Sequence, residues 1–128
     1  MSQSDRDILF ANEAFVIGVL HAVSGAGLVA GIAQSATLAN ISGATGLRIY
    51  LTGMAVGLLA AVLAAYWKHQ YKLWDVKAAV STDQEASDDA RRRATKARCY
   101  LTLTRVAFVA SVVAIATSIC TLIVGIWS

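Results

Sequence analysis

The chain has 128 residues, of which 57% are hydrophobic and 15% charged; the net charge is +3, there is no proline, and the mean hydropathy is +0.60. Soluble domains carry about 45–50% apolar and about 25% charged residues, so this composition excludes an ordinary soluble domain, a disordered chain and a collagen-like fibre. Two cysteines are too few for a disulfide-stapled mini-protein. The composition instead fits an all-α integral membrane protein.

The apolar residues fall in three blocks. A bilayer core about 30 Å thick takes roughly 20 apolar residues in a helix. Lipid admits only helices or closed barrels, because backbone groups must be satisfied internally. Residues 14–34 supply a first span, interrupted by His21, Ser24 and Gln34. Its leader (Asp5, Arg6, Asp7, Glu13) is acidic and its apolar run exceeds the roughly 7–15 residues of a signal peptide, so the reading expects a retained helix. Asn12 and Glu13 stand where a cap of that helix would lie.

Residues 49–67 supply a second, uncharged span. Beyond it, residues 68–105 hold most of the charge. Tyr71, Trp74 and Ala78 continue one helical face past Trp67, which predicts that the second helix extends out of the membrane. Thr82 followed by Glu85 resembles a capping box that starts a new helix. On that helix Ala86, Ala90, Ala94, Ala97 and Leu101 make a small apolar stripe that could face the aromatic one in an antiparallel hairpin. The lengths do not match. The third helix has about 14 residues more than the second, near 20 Å, to be absorbed by a loop around residues 79–88 or by tilt. Residues 106–127 are the third span, and 1–128 form a single membrane domain.

Lysine and arginine sort by side. Arg6 and the nine basic residues of the 68–105 segment lie on one side, and Arg48 alone on the other. The positive-inside rule then puts the N-terminus and the charged segment in the cytoplasm and the C-terminus outside, as in a bacterial inner membrane. Tyr50 and Trp127 read as aromatic anchors at the outer boundary. Arg91, Arg92, Arg93, Lys96 and Arg98 read as contacts to anionic headgroups. Adjacent carboxylates and the lack of a nucleic-acid-binding motif argue against nucleic acid.

Within the spans, small residues recur every fourth position. Gly18, Ala22, Ala26 and Ala30 form one row, Gly27 and Gly31 another, and Gly53, Gly57, Ala61 and Ala65 a third. The last span adds Ala110, Ala114 and Ser118, with Thr117, Thr121 and Gly125. Such rows let helix backbones approach closely, which drives association in lipid. Gly27, Gly31, Gly53, Gly57, Ala61 and Ala65 are the packing residues expected to matter most.

Chemistry is sparse. No Asp, Glu, Lys or Arg lies within the spans, which disfavours a proton-coupled transporter. His21 is a candidate haem ligand, but His69 lies at a different depth and cannot complete a bis-histidine pair within the chain. Cys99 and Cys120, about 31 Å apart on one helix, cannot form a disulfide. No metal-ligand spacing or nucleophile–base pair is present, so the reading expects neither enzyme activity nor a cofactor. The run from Ser24 to Gly31 resembles the glycine-rich first helix of rotary ATPase ring subunits, yet residues 50–67 lack the carboxylate those subunits need. The overall layout resembles uncharacterised three-helix inner-membrane proteins of bacteria, a resemblance that implies no activity. The expected function is a helix-packing subunit of a homo- or hetero-oligomeric membrane assembly. A holin-like pore is the first alternative, although such proteins end in a charged cytoplasmic tail that Ser128 does not supply. A haem-bearing electron-transfer subunit is the second.

Overall fold

The computed structural model describes residues 3–80 and 87–127, all in three helices: α1 (Gln3–Ala33), α2 (Ser35–Val80) and α3 (Ser87–Trp127). Each is long and apolar enough to cross a membrane.

α1 begins eleven residues earlier than the apolar run, at Gln3. Residues 3–13 contain no glycine or proline to stop a helix, and Asp5 in the first turn suits the positive end of the helix dipole. Asn12 and Glu13 therefore lie inside α1 and do not cap it. At the other end Gln34 donates its N–H to the Ala30 carbonyl at 2.9 Å and accepts from Leu38 at 2.9 Å, so helical hydrogen bonding runs through the junction into α2. The break comes at Gly43, with φ 71° and ψ 169°. That region is open essentially to glycine alone. No cue in the sequence separates residues 35–42 from the span before them.

Past Gly43 the chain runs antiparallel to α1 in constant register. Gly31 meets Tyr50, Gly27 meets Met54, and Ser24 meets Gly57. Further along, Ile17 packs with Ala64, Glu13 pairs with Lys68, and Phe10 stacks on Tyr71 at 5.8 Å. Each step of three, four or seven residues along α1 is matched by the same step back along α2. Such a repeat averages 3.5 residues per turn, the period of left-handed antiparallel packing common in membrane bundles.

α3 returns along α2 in the same manner, from Arg93 and Lys96 beside Lys77 and Trp74 to Gly125 beside Ser42. Its seam is Ala97, Thr104, Ser111, Ser118 and Gly125, small residues seven apart, of which the first four are buried. The expected hairpin is present, and most of the surplus of residues on the third helix disappears. α2 resumes its path at residue 44, not 49, so residues 44–80 come within four of the length of 87–127. Lys96 of α3 places its ammonium group 4.9 Å from the Trp74 ring of α2, which ties the hairpin beyond the apolar region, and Lys77 of α2 lies 5.0 Å from the same ring. Thr82, Glu85 and Ala86, which the capping-box and alanine-stripe readings used, lie outside the described residues.

Candidate functional site

Three serines of the apolar region lie buried where the helices pack. Ser24, Ser111 and Ser118 are fully buried. Ser24 donates to the Leu20 carbonyl at 2.6 Å and Ser118 to Ala114 at 2.9 Å, each within its own helix. Ser111 instead crosses to the Gly57 carbonyl of α2 at 2.9 Å. Tyr50, read from the sequence as an outer anchor, is buried at 6% exposure, and its hydroxyl donates to the Gly27 carbonyl at 2.9 Å. Glycine makes these crossings possible by removing the side chain that would hold the helices apart. A Cβ on Gly57 would lie 2.9 Å from Ile115 Cγ1 and 3.3 Å from Ser24 Oγ; one on Gly53 would overlap Ser118 Oγ. Gly27 and Gly31 make the same room for Met54 and the Tyr50 ring. Ala61 is buried at 1%. Ala65, on the same sequence row, is exposed. The seven-residue seam turns away from a strict four-residue row after about two turns, so the row overshoots the contact.

The opposite face of α1 has a different character. Gly18, Ala22, Ala26 and Ala30 are all exposed, and a Cβ on Gly18 would meet nothing within 4 Å. At about 100° per residue this row centres roughly 180° from the residues facing α2. His21 is exposed beside it and has no hydrogen-bond or ion-pair partner among the described residues. Cys99 and Cys120 are free and exposed.

At the charged end, Lys68 holds α1 and α2 together. Its ammonium donates to the Phe10 carbonyl at 2.8 Å, lies 3.5 Å from a Glu13 carboxylate oxygen and sits 5.7 Å from the Phe10 ring. The basic residues expected at headgroups divide. Arg93 donates to the Lys77 carbonyl at 3.3 Å and Lys96 covers Trp74, so both serve the hairpin. Because α3 is continuous, Arg91, Arg92 and Arg93 stand about 20 Å beyond Val106. Surface attraction fades within a Debye length, about 10 Å. Arg98 lies nearer the apolar run than Arg91, Arg92 and Arg93 do. The Lys68 clamp, the Tyr50 hydroxyl and the Ser111 crossing had no motif in the sequence. Their only signal was the shared seven-residue period.

Among the described residues no group of three or more His, Cys, Asp or Glu side chains could hold a metal ion. A scan against protein-family models matches no family, and no curated protein or solved structure is similar to the chain.

Proposed function

We propose that this chain is a non-catalytic integral membrane protein whose outward α1 face packs against a neighbouring subunit in a homo- or hetero-oligomeric assembly. The observation that carries the reading is His21. An ionisable side chain within a membrane helix almost always faces a bundle interior or a cavity. Here it faces outward with no partner among the described residues, beside the row Gly18, Ala22, Ala26 and Ala30 that no element of this chain covers. A neighbour seated there shields the imidazole and uses the groove that small residues leave. The lysine and arginine distribution supports a cytoplasmic N-terminus and hairpin in a bacterial inner membrane. Arg98 contributes contact with anionic headgroups. Of the groups a pore lining would draw on, Ser24, Ser111 and Ser118 are enclosed within the chain and already hydrogen-bonded, which favours the packing role over a conducting one.

The test is the mass of the complex in nanodiscs assembled from native membranes. The wild type runs as more than one polypeptide per particle. The double variant Gly18→Leu, Ala22→Leu runs as a single chain with unchanged helicity, because both positions are open in the monomer. A wild type found as one chain per particle, with no second polypeptide, overturns the proposal.

A further inference from the structure

α1 and α3 both pack along α2 but leave a groove between themselves at the charged end. Its volume is about 450 Å³. The two helices run parallel there. Asn12, Glu13 and Arg105 supply its polar lining, and Val16, Phe108 and Val109, further along the two helices into the apolar region, supply part of its apolar lining. The groove therefore has a polar mouth and an apolar slot running along the helix axes.

The charges at the mouth do not balance. Glu13 is engaged by the Lys68 ammonium at 3.5 Å, so that pair is neutral. Arg105 is exposed and has no hydrogen bond or ion pair among the described residues. One uncompensated guanidinium thus overlooks an apolar slot in the first turn of the third span. A guanidinium presents a planar fork of donors matched to phosphate oxygens. Basic pockets between membrane helices on this side of a protein bind acidic phospholipid headgroups.

We propose that this groove is a binding site for one anionic phospholipid, with its phosphate on Arg105 and Asn12 and an acyl chain along Val16, Phe108 and Val109. The chemistry selects a lipid of net negative charge over a zwitterionic one because the site carries a single net positive charge. The inference rests on the placement of the chain in a bilayer, and it does not depend on the α1 face used for assembly.

Native mass spectrometry of the full chain, released from mixed vesicles of phosphatidylglycerol and phosphatidylcholine with identical acyl chains, tests it. The wild type retains phosphatidylglycerol about fivefold over phosphatidylcholine. Arg105→Gln abolishes that preference while the protein still fractionates with membranes and keeps its helicity. Arg105→Lys, a point charge without the fork, keeps part of it. Val16→Trp, which fills the slot and leaves Arg105 in place, lowers retention of both lipids. Equal retention of the two lipids by the wild type, or an unchanged preference in Arg105→Gln, overturns the proposal. Displacement of the lipid by millimolar inorganic phosphate also overturns it, since the site would then recognise a free anion. Failure of the underlying membrane placement shows separately, as wild-type protein in the soluble fraction.

Discussion

Ser111 of α3 donates a 2.9 Å hydrogen bond to the carbonyl of Gly57 of α2, 54 residues earlier in the chain. Ser24 of α1 comes against the same glycine from the other side. Gly57 is thus a position on α2 that both neighbours reach at the same level. The sequence marks it only as one member of a four-residue row. What singles it out is the coincidence of two seven-residue seams, one facing α1 and one facing α3.

Gly57→Ala places a methyl group 2.9 Å from Ile115 Cγ1 and 3.3 Å from Ser24 Oγ. Both neighbours are packed, so the helices must separate, at a cost of about 1–3 kcal/mol. Gly57→Ile exceeds this and opens the α1–α2–α3 junction. Ser111→Ala removes one interhelical hydrogen bond and leaves the packing, so its cost stays near 0.6 kcal/mol, the average for such bonds in membranes. Ala65→Ile, on the same row but exposed, leaves the monomer unchanged. Reversible unfolding in mixed micelles followed by circular dichroism ranks the four. An Ala65→Ile variant as damaged as Gly57→Ile would remove the distinction between the seam and the row.

The three spans, the helical extension of the second and its hairpin with the third were all readable, because each depends on composition or on a periodic face. The register was harder to see. A row at i and i+4 drifts about 40° per step around a helix, while the contact surface drifts far less along a seven-residue seam. This is why Gly53 and Gly57 are at the contact and Ala65 is not. Tyr50 looked like an interfacial anchor because it opens an apolar run, but the space left by Gly27 and Gly31 draws it into the core. Positions whose role depends on a distant partner, such as Lys68 beneath Phe10 and Glu13, carry no local mark at all.

Gly43 separates backbone cost from packing cost. Its φ of 71° and ψ of 169° are reached by glycine alone, yet a Cβ there would meet nothing within 4 Å. Gly43→Ala therefore destabilises by about 1–3 kcal/mol through conformation only. Gly25→Ala is the matched control. It is helical, its added methyl makes an ordinary 4.0 Å contact with Leu58 Cδ1, and it gains the roughly 0.5–1 kcal/mol advantage of alanine over glycine in a helix. The same micelle unfolding should move in opposite directions for the two variants. Equal and small effects would show that the reversal does not rest on Gly43.

Lys68 fastens the first three turns of α1, and its removal should loosen them without disturbing the spans. Its side chain is 11% exposed and contributes a charged hydrogen bond to the Phe10 carbonyl, an ion pair with Glu13 and a cation–π contact with the Phe10 ring. A hydrogen bond from a charged donor is worth about 1.5–3 kcal/mol. Lys68→Met keeps the aliphatic stem and discards the charge, so the loss falls on those contacts. α1 before Phe10 has few buried neighbours to compensate, since residues 7–9 are exposed. Amide hydrogen exchange in nanodiscs should therefore accelerate by about tenfold or more from residue 4 to Glu13. Exchange at Ile17 and Ser24 should stay unchanged. Glu13→Gln removes only the ion pair, which is half exposed at the carboxylate, and should give a much smaller acceleration over the same residues. Uniform acceleration along all of α1 in the Lys68 variant would instead make this lysine part of the bundle's global stability.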